Sequence, residues 1–222
     1  MFGLIVFDLD GTLVDSHRDI ANAANALVEE LGGARLADAD ITAMVGEGAA
    51  LLVRRALTAA GLDPATPGAL DRFLAHYGER LLEHTRPYPG TEETLARLVR
   101  RVPLSVLTNK PQRPTELILE GLGLRQYFGE VAGGDTPSGR KPDPAGLLRL
   151  MVLAGVTPER TLMVGDSPID LQTARNANTS ICLVRYGFGY RFGEGGFRGD
   201  EMFADSPAQI LETITRPRPA LP

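Results

Sequence analysis

Apolar residues form short uninterrupted runs at intervals along the chain, and polar residues follow each run. The first run, Leu4–Phe7, consists of side chains that favour strands, and further runs lie at 104–107, near Val131, at 162–164 and at 181–184. A short apolar run without polar alternation is typical of a parallel strand that is buried on both faces. Because helical patterns separate these runs, the sequence predicts an α/β fold, a doubly wound parallel sheet with helices on both faces.

The stretch from residue 16 to residue 86 differs from the rest, because it contains helical patterns and no convincing strand. Apolar residues recur at helical spacing in three places within it. The first pattern ends at Gly32, the second ends at Gly61, and the third extends from Phe73 to Leu82. Glycine directly after such a pattern is a common helix terminator. The sequence therefore predicts an all-helical insert after the first strand.

Prolines and a glycine interrupt any helix at Arg86–Gly90, where the chain returns from the insert. We therefore predict a discontinuous core domain, formed by residues 1–15 and 87–222, and a helical cap domain, formed by residues 16–86. Since the insert leaves the core at the carboxyl end of the first strand, we expect the cap to lie above that end, where ligands bind in open α/β sheets.

Composition and charge narrow the class of protein. With 222 residues, 43% of them apolar, the chain can bury a substantial core, and no apolar run approaches the length of about 20 residues that spans a bilayer. The net charge of −5 argues against nucleic acid as a partner, because phosphate-backbone binding requires clustered lysine and arginine. The N-terminal residues lack the basic flank of a signal peptide, and the single cysteine, Cys182, cannot form an internal disulfide. We therefore expect a cytoplasmic protein with neither a membrane nor a nucleic acid as its partner.

A stretch rich in glycine and aromatic residues lies at 187–199. Glycine-rich loops that bind phosphate usually open directly into a helix, whose N-terminus faces the phosphate. No helical pattern begins directly after this stretch, so we predict a surface loop there.

Two aspartates, Asp8 and Asp10, follow the first predicted strand. Two carboxylates at the carboxyl end of a buried strand are costly unless a cation or a phosphate compensates them. One carboxylate can attack phosphorus to form an aspartyl phosphate, while the second protonates the leaving oxygen and later deprotonates the attacking water. The alternative is a structural turn in which the aspartates only cap the following residues.

Thr108 and Asn109 follow the second predicted strand, so their hydroxyl and amide groups would emerge at the same edge of the sheet and bind phosphoryl oxygens. A turn or a helix cap is the alternative interpretation of this pair.

Prolines after Lys141 stiffen its segment and fix the direction of the ammonium group. That suits a charge directed at a phosphoryl group or at Asp8, although an isolated lysine is usually a solvated surface residue.

Asp166 and Asp170 follow the strand predicted at 162–164. Mg²⁺ prefers about six oxygen ligands and usually takes only one or two protein carboxylates, so Asp8, Asp166 and a backbone carbonyl are sufficient to hold it. Asp170 has two possible roles. It is either an acidic residue that the helix dipole favours in a first turn, or an acid that orients Lys141.

Four motifs, each after its own strand, resemble those of the haloacid dehalogenase-like superfamily, and within it the phosphoglycolate phosphatase group. They are DLDGTLVDS at 8–16, LTNK at 107–110, KPDP at 141–144 and VGDSPIDLQTARNA at 164–177. With the helical insert, the resemblance covers nearly the whole chain. It implies a Rossmann-like core with an inserted cap, Mg²⁺ as the cofactor and a small phosphate ester as the substrate.

The resemblance also implies roles for individual residues. Asp8 would be the nucleophile, and Asp10 the general acid and base as well as a metal ligand through its backbone carbonyl. Thr108 would bind phosphate, Lys141 would neutralise developing charge, and Asp166 would hold Mg²⁺. Dehalogenases of the superfamily lack an acid at the position of Asp10, since they need no proton donor for the leaving group, so a carbon–halogen substrate is not expected.

The sequence thus favours a phosphatase that hydrolyses a small phosphorylated acid through an aspartyl phosphate, with 2-phosphoglycolate as the expected substrate. Two alternatives stay open at this point. One is a sugar phosphomutase of the same superfamily, which returns the phosphoryl group to its substrate, and the other is a non-catalytic binding protein that keeps the fold. Specificity is expected to come from the cap, where four basic residues could meet a substrate carboxylate. These candidates are His17, Arg18, Arg54 and Arg55.

Overall fold

The computed structural model describes residues 2–137, 139–193 and 196–215. Within these residues the strands form one parallel six-stranded sheet, in the order β5-β4-β1-β6-β7-β8, and a two-stranded antiparallel ribbon of β2 and β3. The predicted fold class, a doubly wound parallel sheet, is confirmed. The strands are β1 (Leu4–Phe7), β2 (Val14–Asp15), β3 (Arg86–Pro87), β4 (Leu104–Leu107), β5 (Glu130–Ala132), β6 (Thr161–Gly165), β7 (Ser180–Val184) and β8 (Met202–Ala204).

Both faces of the sheet are covered by helices, because the side chains of each strand alternate between two apolar layers. Ile5 and Phe7 of β1 lie in one core layer, whereas Leu4 and Val6 lie in the other. Helices α5, α6 and α9 contribute to the first layer, and α7 and α8 contribute to the second. These helices are α5 (Thr91–Leu98), α6 (Gln112–Gly121), α7 (Ala145–Ala154), α8 (Pro168–Asn176) and α9 (Pro207–Thr215).

The insert between β2 and β3 is helical, as the sequence predicts. Its first helix packs against the other three, and its apolar side chains, Leu27, Leu57 and Phe73 among them, are buried and join the first core layer. The helices of the insert are α1 (His17–Glu30), α2 (Asp38–Ala43), α3 (Ala49–Ala59) and α4 (Ala69–Gly78). We call the segment that contains them, residues 16–86, the cap. This division into two domains stays a prediction.

The two segments that connect the cap to the core pair with each other. Val14 lies opposite Pro87, and Asp15 lies opposite Arg86, in the ribbon of β2 and β3. Next to the ribbon, the buried carboxylate of Asp19 in α1 accepts hydrogen bonds from the backbone N–H groups of His84 and Thr85 at 2.8–3.0 Å. The returning chain is thus fixed to α1 rather than left as an independent hinge.

Some elements differ from the sequence prediction. The third cap helix was expected to reach Leu82 but ends at Gly78, because glycine costs about 1 kcal/mol relative to alanine inside a helix and the chain must turn to reach Asp19. Helix α2 and strand β8 were not predicted, since six and three residues are too few for a periodic pattern to be visible. Among the described residues, no helix combines the length and the apolar character that crossing a membrane would require.

Candidate active site

Three neighbouring strands end at the residues that the sequence analysis singled out. Asp8 follows β1, Thr108 follows β4 and Asp166 follows β6, and all three are buried. The backbone N–H of Asp8 donates to Val164 O at 2.8 Å, which fixes the end of β1 against β6. Because β4, β1 and β6 are adjacent in the sheet, their carboxyl ends bring these side chains to one place.

Lys141 joins two of the aspartates from a separate segment. Its Nζ lies 2.7 Å from Asp8 Oδ1 and 2.6 Å from Asp170 Oδ1, and the lysine side chain is only 2% exposed. Asp170 is held in turn by Ser167, whose N–H and Oγ donate to Asp170 Oδ2 at the start of α8. Asp170 thus lies in the first turn of α8 and also contacts Lys141, so its position is compatible with both of the roles considered for it.

Burial shapes the electrostatics of this group. It raises the pKa of Asp8 to about 6, and the attraction of Lys141 offsets only part of that effect. Burial, followed by repulsion from Asp170 and Asp8, raises the pKa of Asp166 well above its ordinary value. Burial would lower the pKa of Lys141, but Asp170 and Asp8 outweigh it and raise the pKa instead. Lys141 therefore stays protonated. Asp8 and Asp166 ionise less readily than exposed aspartates, because the positive charge next to them does not compensate fully for their burial.

The donor set suits a hard divalent cation. Asp8, Asp166 and Asp170 each offer a carboxylate oxygen, and these oxygens lie within 4.8 Å of one another. Both oxygens of Asp170 already accept hydrogen bonds, from Lys141 and Ser167, which leaves Asp8 and Asp166 as the carboxylates suited to a cation. A cation between them would offset the burial and the repulsion that together raise their pKa values. Oxygen donors are those that Mg²⁺ prefers.

Asp10 is held by residues that the sequence analysis did not assign to the site. Lys110 Nζ lies 3.0 Å from both carboxylate oxygens of Asp10, and Ser16 Oγ donates to Asp10 Oδ1 at 2.5 Å. The ammonium group of Lys110 also lies 4.6 Å from the centroid of the Tyr77 ring, which belongs to the cap. Burial would lower the pKa of Lys110, but Asp10 outweighs it and raises that pKa.

Lysine usage was a signal that could have identified Lys110. Of the 23 basic residues other than histidine, only Lys110 and Lys141 are lysine, and both are buried at the site. Lysine carries a compact point charge, unlike the planar guanidinium of arginine, so the two exceptions in an arginine-rich chain indicate positions where a compact charge is needed.

Asn109 has a different role from the predicted one. Its Nδ2 donates to Gly46 O, in the cap, and to Lys141 O, both at 2.9 Å. These bonds use both N–H groups of the side-chain amide, so phosphate binding by that amide is not supported. Thr108, whose hydroxyl accepts a bond from the N–H of Lys110, borders the same cavity. Asn109 instead links the cap, the core and the segment that carries Lys141.

A cavity of about 300 Å³ lies between the cap and the carboxyl ends of the strands. Asp8, Asp10, Thr108 and Asp166 line its core side. The cap side is largely apolar, and its polar side chains are Thr42, Glu47 and Tyr77. The buried Oη of Tyr77 has no hydrogen-bond partner among the described residues. The large apolar residues on this side are Ile20, Val45, Leu52, Phe73 and Leu74.

The four basic cap candidates are not among the described residues that line this cavity. Arg18 and Arg54 are exposed, because each lies on a helix face that points to solvent. His17 Nδ1 lies 2.5 Å from Asp15 Oδ1, and Arg55 lies 2.5 Å from Glu47, so each is paired with an acid at its own end of the cap. The expectation that one of these four meets the substrate is therefore not supported by their positions.

The stretch predicted as a surface loop at 187–199 reaches the site with its first residues. Phe188, Gly189 and Arg191 line the cavity, and the N–H of Gly189 donates to Asp166 Oδ2 at 2.7 Å. Residues 194 and 195 of this stretch lie outside the described residues. Residues 187–191 form a partly exposed loop, as predicted, but this loop also borders the cavity. The sequence analysis did not find that role, because it considered only phosphate binding as a function for backbone N–H groups.

The site contains buried carboxylates bridged by a lysine, at the carboxyl ends of parallel strands and below a helical cap. This arrangement is typical of enzymes with an α/β core whose active site is covered by a cap. The family model of the haloacid dehalogenase-like hydrolases matches residues 5–184, and the chain belongs to this family. The predicted family membership is thus confirmed.

Individual relatives agree with this assignment. The chain is 45% identical over 192 residues to a phosphoglycolate phosphatase of Rhodospirillum rubrum, covering 83% of this chain and 80% of that protein. It is 41% identical over 215 residues to a phosphoglycolate phosphatase of Chromobacterium violaceum, with 95% of each chain covered. Among solved structures, a predicted phosphoglycolate phosphatase from Haemophilus somnus superposes with a TM-score of 0.89 at 33% identity, covering 97% of this chain and 98% of that one.

Proposed function

We propose that this protein is a Mg²⁺-dependent phosphatase that hydrolyses 2-phosphoglycolate through an aspartyl phosphate on Asp8. The observation that carries the proposal is the contact of Asp8 with Lys141 at 2.7 Å, in a buried group that also contains Asp166. This arrangement provides a nucleophile, a fixed positive charge and a carboxylate pair for a cation at the edge of one cavity.

Asp8 and Asp166 would hold the cation, together with the backbone carbonyl of Asp10 as in the family. Bound there, Mg²⁺ would supply charge that lowers the pKa of Asp8 and compensates the phosphoryl oxygens. Lys141 contributes a second, permanent positive charge, and Asp170 fixes its direction. The Thr108 hydroxyl, which borders the cavity at the end of the adjacent strand, would bind a phosphoryl oxygen.

The reaction proceeds in two displacements at phosphorus. An Asp8 carboxylate oxygen forms a bond to phosphorus while the bond from phosphorus to the ester oxygen breaks, and Asp10 gives its proton to the departing alkoxide. Asp10 then takes a proton from water, the water oxygen bonds to phosphorus, and the bond from phosphorus to Asp8 breaks. Phosphate leaves, and both aspartates return to their starting states. The apolar cap side of the cavity limits the water that can reach the intermediate.

The substrate assignment is supported by the activity of the relatives named above and by the residues that line the cavity. The relatives at 45% and 41% identity are both phosphoglycolate phosphatases. A cavity of about 300 Å³ suits a small ester. The lining groups able to bind a substrate carboxylate include Lys110, Arg191 and the Tyr77 hydroxyl. Glu47, the acid on the cap side of the lining, is paired with Arg55. We therefore favour a small phosphorylated acid over a sugar phosphate.

The test compares 2-phosphoglycolate, glucose 1-phosphate and a nucleoside monophosphate, each with Mg²⁺ and with chelator, by release of inorganic phosphate. We expect Mg²⁺-dependent release that is fastest with 2-phosphoglycolate. An isomerised sugar phosphate without phosphate release would favour the phosphomutase alternative. Mass spectrometry after rapid quench should detect a phosphorylated peptide containing Asp8, and turnover that persists in Asp8→Asn would refute the mechanism.

A further inference from the structure

The loop after β7 lies directly on the carboxylate of Asp166. The N–H of Gly189 donates to Asp166 Oδ2 at 2.7 Å. A Cβ atom at position 189 would lie 2.8 Å from the same oxygen, and one at position 187 would lie 2.3 Å from it and 2.2 Å from the carbonyl oxygen of Gly11. Carbon atoms do not approach oxygen so closely without displacement. The backbone of residues 187–189 can therefore reach this carboxylate only because Gly187 and Gly189 lack side chains.

The loop is fixed on both sides of this contact. Before it, Tyr186 Oη donates to Thr12 O at 2.9 Å, which connects the loop to the turn after β1. Between the two glycines, the Phe188 ring packs edge to face against the His17 ring at the start of the cap, with 5.9 Å between the ring centroids. The N–H of Gly189 is thus held in place from the core and from the cap, and its direction does not depend on Asp166 alone.

We propose that residues 187–189, the glycine clamp, are a positioning element for the cation ligand Asp166. The amide of Gly189 holds one carboxylate oxygen and thereby fixes the carboxylate in one orientation, within 4.8 Å of the Asp8 carboxylate. Hydrogen bonds to a metal ligand from residues around it commonly alter metal affinity by about 10- to 100-fold. This inference rests on the proposed function only in taking Asp166 as a ligand of the divalent cation.

The experiment measures Mn²⁺ binding to the full chain by electron paramagnetic resonance, which needs no substrate and no turnover. Gly189→Ala places a methyl group against Asp166 Oδ2, whereas Gly193→Ala is the matched control, since a Cβ there meets no heavy atom of the described residues within 4 Å. We expect the Mn²⁺ dissociation constant to rise about 10-fold or more in Gly189→Ala and to stay unchanged in Gly193→Ala. Thermal unfolding without metal checks that both variants are folded.

The outcomes separate this inference from the proposed function. If Asp166→Asn abolishes Mn²⁺ binding while Gly189→Ala binds like the wild type, the clamp is overturned and the metal site stands. If Asp166→Asn binds like the wild type, the metal site itself is wrong, and the clamp is wrong with it.

A second measurement applies to the wild-type protein and covers the case in which Gly189→Ala does not fold. In nitrogen-15 NMR spectra, Mg²⁺ should shift the amide signal of Gly189 strongly, because its hydrogen-bond acceptor becomes a metal ligand, and should leave the signal of Gly193 nearly unchanged. Equal and small shifts at the two glycines would overturn the proposal.

Discussion

The ammonium group of Lys110 lies 3.0 Å from both carboxylate oxygens of Asp10, the proposed general acid and base. Lys110 extends from the end of β4, and Asp10 lies in the turn after β1, so the ion pair joins the ends of two adjacent strands. The Tyr77 ring covers the same ammonium group from the cap. The orientation of Asp10 therefore depends on a residue that also contacts the cap.

Lys110→Met tests this dependence, since it removes the charge but keeps much of the side-chain volume. Asp10 loses the two bonds from Lys110 and keeps only the one from Ser16, so we expect kcat to fall about 10- to 100-fold. Steady-state kinetics provide the measurement. Arg125→Met is the matched control, because it removes an ion pair with Glu116 at 2.7 Å outside the cavity lining. A loss of kcat no larger than that of the control would contradict the role of Lys110.

Asn109→Ala removes one hydrogen bond to the cap, at Gly46 O, and one to the backbone of the core segment that carries Lys141. We expect KM to rise about 5- to 10-fold with a smaller change in kcat, because a lost hydrogen bond corresponds to about 1 kcal/mol and the cap segment at Gly46 loses its partner. Asn176→Ala is the control, since Asn176 Nδ2 makes the same kind of bond to Pro142 O at 2.8 Å on the exposed surface. Equal KM values for the two variants would argue against this link.

Tyr77→Phe removes a buried hydroxyl that has no hydrogen-bond partner among the described residues. Without substrate, we expect a nearly unchanged Tm, because the hydroxyl makes no hydrogen bond of ordinary geometry and the ring keeps its contact with Lys110. With 2-phosphoglycolate, we expect KM to rise about 3- to 10-fold if the hydroxyl binds the substrate carboxylate, as we propose. KM for ethyl phosphate, which has no carboxylate, should stay the same. A parallel rise for both esters would show that the hydroxyl acts on the cap and not on the carboxylate.

Arg54→Ala addresses the original expectation that a cap arginine binds the acidic end of the substrate. Arg54 is exposed and does not belong to the cavity lining. We therefore expect KM for 2-phosphoglycolate to match that of the wild type in the same kinetic assay. A rise of about tenfold would mean that the cap reorganises when substrate binds and brings this helix face to the cavity.

The strands and the core of the site could be predicted because both follow from local sequence. Leu4–Phe7 is apolar on both faces, and a strand of that kind has to end at a polar residue, here Asp8. The same reasoning applies to Thr108 and Asp166, which follow β4 and β6. Parallel pairing then brings the three side chains together without any further information.

The partners of these residues could not be predicted, because they depend on contacts between distant segments. Asn109 has an amide group that could bind phosphate, but in the structure this amide donates a hydrogen bond to the carbonyl of Gly46, 63 residues away in sequence. Gly189 reaches Asp166 across 23 residues. The spacing of apolar residues indicates which segments form strands and where each strand ends. Hydrogen bonds between distant residues depend instead on how the cap and the loops pack against the sheet.

Asp19 is a buried carboxylate outside the cavity lining, and its contacts support a prediction about stability. Its oxygens accept bonds from the N–H groups of His84 and Thr85, from Thr85 Oγ1 and from the His84 ring. Burial would raise the pKa of Asp19, but these hydrogen bonds outweigh it and hold the pKa below 3.8, the ordinary value. The native state therefore binds this proton less readily than the unfolded chain does.

Asp19→Asn should lower the free energy of unfolding by about 2 to 3 kcal/mol at neutral pH, because the amide cannot satisfy the buried donors of His84 and Thr85. Since the folded-state pKa is lowered, the stabilisation by Asp19 is complete above 3.8 and is lost as the pH falls through the folded-state pKa. Urea denaturation should thus give a difference in unfolding free energy between wild type and variant that is constant from neutral pH down to about pH 5 and narrows below about pH 4.

The control, Asp38→Asn, alters an exposed cap aspartate 3.5 Å from Arg35 and should change the free energy of unfolding by less than about 0.5 kcal/mol. A difference for Asp19→Asn that is as small as the control's, or one that grows in acid, would mean that the returning chain is held to α1 by the surrounding packing and not by this carboxylate.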